Sequence, residues 1–288
     1  MKLSYWGLIA GIAAGGIVTM GNGNRASAAT ITLYDGASGV TPDLYNPPAY
    51  LGFINVGTGS QTAMGGVTTL NTSSPERTFA GYSNYAPTGG LVNNSLPPLI
   101  LDNNAGYTLS FTVKINAQTN TGANGTFRAG FSTIVLGNDK KGIEIGFRNT
   151  DIFSQNDANF NSLGEQATGV GGILGNLTQY DLTVSRNPNP LLANIYTLSS
   201  GGNPIIGGFV RDYSAATTVF GNVYNNSNFI FLGDDTTSAG ASVNIARITL
   251  TTTDPTAVPE PSNLLGIGMA MGVGATLKRK LGKIGRKI

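Results

Sequence analysis

The segment Tyr107-Thr-Leu-Ser-Phe-Thr-Val-Lys-Ile115 alternates without a break. Tyr107, Leu109, Phe111, Val113 and Ile115 share one phase, and Thr108, Ser110, Thr112 and Lys114 share the other. Successive side chains of a strand point to opposite faces, so this pattern predicts an antiparallel strand with one dry face and one wet face. Similar strand-like runs are Ile31–Tyr34, Leu51–Val56, Phe127–Leu136, Gly142–Arg148, Tyr180–Ser185, Ile195–Ser199, Ile205–Val210, Phe229–Leu232 and Ser242–Thr251. In the last run Val243 and Ile245 keep one phase while Ile248 and Leu250 take the other, which calls for a bulge near Ala246-Arg247.

Clusters of Gly, Asn, Pro and Ser separate these runs: Asn120–Gly125, Asn187–Pro190 and Gly201–Pro204. They are turn chemistry. No stretch of ten or more residues carries a 3.6-residue apolar period with helix caps. The pattern as a whole predicts an all-β fold, a two-sheet antiparallel sandwich. The segment Gly36–Ile100 holds Pro42, Pro47, Pro48, Pro75, Pro87, Pro97 and Pro98 and little strand signal, so it reads as loop-rich. No fixed-period repeat supports a solenoid or propeller.

The chain has neither cysteine nor histidine. That excludes a disulfide framework, thiol chemistry, Ser-His-Asp and Cys-His nucleophilic sites, His-ligated zinc and imidazole acid–base catalysis. The formal charge of +2 is misleading about partners. Lys2, Arg25 and six cations near the C-terminus are eight of the 17 basic residues; the span Ala29–Ala257 keeps nine against 14 acidic ones, a net −5. It carries no clustered basic stripe with interleaved aromatics, so nucleic acid is not an expected partner.

The two ends read as addresses. Lys2, an apolar run from Trp6 to Met20 and Ala26-Ser27-Ala28 are the three parts of a secretory signal peptide, a helix over residues 1–28 with cleavage after Ala28. At the other end Pro259-Glu260-Pro261 precedes an apolar run, Leu264–Leu277, and then Lys278-Arg279-Lys280. The prolines hold Glu260 in extended backbone outside any helix. The 16 residues Ser262–Leu277 span about 24 Å as a helix, short of a hydrocarbon core of about 30 Å. A transiently inserted, enzyme-read segment suits that length better than a permanent anchor. The basic stop is oriented towards the cytoplasm.

This C-terminal order of tripeptide, apolar run and basic end, Val258–Ile288, resembles the PEP-CTERM sorting signal. The resemblance implies an exosortase-type processing enzyme as partner and association with the membrane through the C-terminus, transient or permanent. It also implies a destination at the cell surface, outer envelope or extracellular matrix, and a role beside exopolysaccharide. Between the ends, Ala129–Gly137, Gly142–Phe147, Tyr180–Val184, Asn228–Asp235 and Ser242–Ile245 resemble concanavalin-A-like or laminin-G-like jelly rolls. The expected organisation is a signal peptide at 1–28, a lectin-like sandwich at 29–253 and a sorting segment at 254–288 with a short hydrophobic helix.

Enzymes of that jelly-roll resemblance carry alternating carboxylates of the Glu-x-Asp-x-Glu type. Here the domain's glutamates are Glu76, Glu144 and Glu165, none with that neighbour pattern. Glu144, between Ile143 and Ile145, is expected on a solvated or polar sheet face. No catalytic residue is assigned. A polysaccharide-active hydrolase or lyase is the alternative, on fold alone. Asp139, Asp234 and Asp235 sit at strand ends or turns, where oxygen ligands for calcium would be placed. Tyr45, Tyr50, Tyr82 and Tyr85 lie in loop-like contexts beside Asn, the groups that stack on and hydrogen-bond to sugars. Arg211-Asp212-Tyr213 reads as a surface cluster.

Overall fold

The computed structural model describes residues 28–73, 78–87, 89–120, 128–158, 162–216 and 223–253. The signal-peptide segment before residue 28, the sorting motif Pro259-Glu260-Pro261, the basic stop and Glu76 lie outside the described residues. In chain order the strands are β1 (Ala29–Asp35), β2 (Gly52–Val56), β3 (Ser60–Met64), β4 (Val67–Asn71), β5 (Phe79–Ser83), β6 (Tyr107–Asn120), β7 (Phe131–Leu136) and β8 (Lys141–Phe147). Then come β9 (Asp151–Gln155), β10 (Leu163–Thr168), β11 (Thr178–Ser185), β12 (Ile195–Ser200), β13 (Asn203–Phe209), β14 (Arg211–Asp212), β15 (Phe229–Asp234) and β16 (Ala239–Thr252). One short helix, α1 (Gly171–Leu174), joins β10 to β11. No helix among the described residues is long and apolar enough to cross a membrane.

The strands form two eight-stranded antiparallel sheets packed as a sandwich. The first runs β13-β12-β11-β6-β16-β4-β3. Its longest pair is β6 with β16, and the other edge of β16 is shared, β4 pairing its first half and β1 its second. The second sheet runs β10-β9-β8-β7-β15-β5-β2, with β14 paired to the start of β8.

The alternation of β6 is realised as read: Tyr107, Leu109, Phe111, Val113 and Ile115 are buried between the sheets. The register of β16 shifts between Ile245 and Arg247, so Val243, Ile245, Ile248 and Leu250 all point inward. On the wet face of the first sheet Thr30, Thr251, Thr108, Thr183 and Thr197 align in one row across β1, β16, β6, β11 and β12. Hydroxyl pairs Thr30–Thr251 and Thr108–Thr183, each at 2.9 Å, tie that row together.

Between the sheets an aromatic knot joins the two layers. The Phe147 ring of β8 stands 5.7 Å from Phe111 of β6, 5.3 Å from Tyr180 of β11 and 5.6 Å from Phe131 of β7. Edge-on and tilted contacts of this kind add to the apolar burial that holds the layers face to face.

The segment Gly36–Ile100 is rich in loops, and between them it also carries four short strands. It supplies β2 and β5 to the second sheet and β3 and β4 to the first. The β3–β4 hairpin turns at Gly65-Gly66, with φ of 62° and 82°, the positive values that a two-residue hairpin turn asks of glycine. Its strands are Ser/Thr-rich and lie at the sheet edge, where one face and one edge meet water, so hydrophobic alternation is weak. The strands β9 and β10 also lack a clear sequence signal.

Candidate functional site

Three polar constellations stand out against the apolar frame. The first lies at one end of the sandwich, a pocket of about 210 Å³ lined by Asn104, Asp139, Lys141, Arg186, Asn187, Pro190, Leu192, Ala193, Asn194 and Val210. Its parts come from the loop before β6, the β7–β8 turn with the first residue of β8, the long β11–β12 connection and Val210 between β13 and β14. The Asp139 carboxylate accepts from the Asn103 side-chain amide at 2.7 Å and from the Lys141 backbone N–H at 3.1 Å. Asn187 donates to the Ala193 carbonyl at 2.9 Å, and Asn194 donates to the Asn104 side-chain oxygen at 3.3 Å. The asparagines thus set the loop's shape, while both signs of charge and four apolar residues, Pro190, Leu192, Ala193 and Val210, line one concavity.

The second constellation closes the sandwich where β10 meets β13. Glu165 Oε2 accepts from Ser154 Oγ, Tyr196 Oη and Arg211 Nη2, each at 2.6 Å. Burial opposes its charge, but the hydrogen bonds from Arg211, Ser154 and Tyr196 prevail and hold the carboxyl at about 2. Arg211 is therefore an internal ion-pair partner and Tyr213 is fully buried, so of the expected surface residues only Asp212 is exposed.

The third lies on the outer face of the second sheet. Along β8, Ile143, Ile145 and Phe147 enter the inter-sheet core, so Glu144 points outward. It does not meet solvent there. A second apolar cluster, Ile134, Leu136, Tyr213, Ala216, Tyr224, Phe229 and Phe231, covers this face and leaves Glu144 at 1% exposure. Tyr224 donates its hydroxyl to Glu144 Oε2 at 2.5 Å, and Tyr213 donates to the Gln155 carbonyl at 2.8 Å. The Glu144 carboxyl also hydrogen-bonds the carboxyl of Asp235. Gly146, Ser132 and Gly233 line up across β8, β7 and β15, and the Phe153 ring of β9 fills the space above Gly146. Burial first, then the charge of Asp235, pushes the Glu144 carboxyl well above its ordinary range; the Tyr224 hydrogen bond and Arg128 oppose without reversing it. Burial likewise raises Asp235.

The calcium candidates are not brought together. Asp139 sits in the β7–β8 turn, at the far end of β7 from Asp234 and Asp235, and six strand residues separate the ends by about 20 Å. Asp234 and Asp235 point to opposite faces. Asp234 is fully buried towards the first sheet, where Thr236 N donates to it at 2.9 Å and Thr72 meets its carboxyl. Among the described residues no three acidic side chains are grouped to hold a metal ion. Strand alternation sends the Asp234 and Asp235 side chains to opposite faces, so the three candidates do not form one ligand set.

Of the tyrosine candidates, Tyr82 is corrected outright. It is fully buried on the inner face of β5, its hydroxyl donating to Gln61 Oε1 at 2.7 Å and its ring 5.6 Å from Phe53. Tyr45 packs edge-on to Tyr34 at 5.9 Å, and Tyr50 packs partly against the core. Tyr85 donates to the Ser227 carbonyl at 2.9 Å and packs against Phe229. The four do not form one platform, and none of them lines the pocket.

The pocket residues other than Asp139, and the partners of Glu144, were missed because they come from distant parts of the chain. The one available signal was Tyr213 and Tyr224 in a connection otherwise rich in small polar residues.

Taken as a class, the fold is an all-β sandwich of two antiparallel sheets. No protein-family model and no curated protein matches the chain. Among solved structures it is similar to the binding domain of botulinum neurotoxin serotype D/C, at 12% identity and a TM-score of 0.39, with 71% of this chain aligned. The chain spans 44% of that protein's length. It is also similar to a carbohydrate esterase from the Shiga toxin-encoding bacteriophage phi24B, at 10% identity and a TM-score of 0.44 over 70% of this chain and 90% of that one. A third is alginate lyase A1-II′, a member of polysaccharide lyase family 7, at 10% identity and a TM-score of 0.39 over 80% and 96%.

Proposed function

We propose that the protein is an exported, non-catalytic β-sandwich of the cell surface or extracellular matrix that binds exopolysaccharide. In this reading an exosortase-type enzyme sorts it through Pro259-Glu260-Pro261, and the basic stop Lys278-Arg279-Lys280 holds the unprocessed tail at the membrane. The observation that carries the binding half is the pocket at the sandwich end. Asp139, Asn104 and Asn194 offer hydrogen-bonding groups of the kind that recognise sugar hydroxyls, Lys141 and Arg186 offer cations for acidic sugars, and Pro190 and Leu192 offer an apolar wall. The reading as a binder rather than a hydrolase is supported by the surroundings of Glu144. Glycoside-cleaving carboxyl pairs stand about 5–9 Å apart with the substrate between them, whereas Glu144 is 1% exposed and held by the Tyr224 hydroxyl.

Co-sedimentation of the full chain with the producing cell's own exopolysaccharide tests this. Wild type is expected to pellet with the polymer, with or without chelator, and Lys141→Ala/Arg186→Ala to pellet several-fold less. Equal pelleting of both proteins, or release of new reducing ends from the polymer, would remove this function.

A further inference from the structure

Glu144 and Asp235 form a buried acid pair that the proposed binding role does not use. The groups facing it can be named element by element. Glu144 comes from β8, Asp235 from the residue after β15, and Ser132 from β7; Arg128 approaches from the residues before β7. From the covering segment come Tyr213 and Tyr224; β9 contributes Gln155 with its carbonyl and, further along the same face, the buried Asp151, which is ion-paired with Arg148 of the β8–β9 turn. Asp234, also buried, faces the opposite side of the sheet.

Charge balance then limits what the pair can be. Two ionised carboxylates in contact under apolar cover repel one another with little solvent to relieve them. Arg128 acts on both and can offset one negative charge. One proton completes the balance. Asp235 Oδ1 is buried with no hydrogen-bonding partner among the described residues, so a second negative charge would also be poorly satisfied.

We propose that Glu144 and Asp235 share a single proton, balanced by Arg128, and that this proton clamps Tyr224 and its neighbours onto the outer face of the second sheet, making that face an acid-favoured fastening. The two tyrosines are the mechanical link. Tyr213 is tied to a backbone carbonyl of β9 and does not respond to pH. Tyr224 is tied to Glu144 itself, and its ring stands 5.5 Å from that of Tyr213, so repulsion within the acid pair is felt by the cover. Raised carboxyls mean that the folded protein holds a proton which the unfolded chain has released. The clamp therefore contributes fully below the ordinary carboxyl range and is lost as pH rises through the pair's own ionisation.

The test is urea unfolding of the full chain from about pH 4 to about pH 9, for wild type and Glu144→Gln. Glutamine keeps an acceptor for Tyr224 and offers Asp235 a donor without a titrating proton. The wild-type midpoint is expected to fall towards alkaline pH, and Glu144→Gln to lose at least half of that fall; Asp234 contributes the remainder. Parallel falls in the two proteins, or a level wild-type midpoint, would overturn the clamp. If Glu144→Gln does not fold, infrared spectra of Asp234→Asn decide, because that variant leaves, besides the pair, only Asp151 buried among the described acids, and Asp151 is held by Arg148. A protonated-carboxyl band persisting at neutral pH supports the shared proton, and its absence overturns it.

Discussion

Replacing Glu165 by glutamine isolates the clasp that joins the open edges of the two sheets. The carboxyl stands at about 2 in the folded protein against an ordinary 4.5. At about 1.4 kcal/mol per pKa unit, that depression would correspond to roughly 3.4 kcal/mol if fully expressed. The Glu165 side chain is 34% exposed, however, and water and salt screen its pairing with Arg211. About 1–2 kcal/mol is the expected net loss for Glu165→Gln at neutral pH. A depressed carboxyl contributes stability above its unfolded value and loses it as pH falls through its folded one. The gap between wild type and variant should thus be widest above about pH 5 and close towards about pH 2. Urea unfolding of both proteins at matched pH measures the gap directly. The Glu144–Asp235 pair has the opposite pH dependence, but it is common to both proteins and cancels in the difference. A gap as large at about pH 3 as at neutral pH, or none at neutral pH, would refute the ion-pair account and leave Glu165 as a packing residue.

Two further outcomes probe the ends of the argument. Phe147→Ala empties the centre of the aromatic knot, where four rings from both sheets meet, and should cost about 3–5 kcal/mol with loss of near-ultraviolet circular dichroism; a loss under about 1 kcal/mol would mean that the knot does not hold the layers together. Glu260→Ala should leave export intact and block trimming of the C-terminus, read from the mass of the mature protein, and unchanged trimming would defeat the sorting reading.

Several features were written in local order along the chain. Alternation from Tyr107 to Ile115 determined a two-faced strand, and the phase change in Ser242–Thr251 determined a bulge, because both follow from the period-two geometry of a strand wherever it packs. The absence of histidine and cysteine likewise ruled out whole classes of chemistry without reference to any fold.

Other features were decided only when distant strands came together. Ser60–Met64 and Val67–Asn71 became strands because the edge of β16 accepted them, not because their own residues form a hydrophobic stripe. Glu144 looked solvated from its alternation with two isoleucines, and its side chain does point away from the core. What the local pattern could not contain was the second cover: Tyr213 and Tyr224 lie about seventy to eighty residues downstream and close over it. Asp234 and Asp235 are neighbours in sequence and opposites in space. Proximity along a strand alternates faces, whereas burial, partners and charge are set by what the other sheet and the returning chain lay against each face.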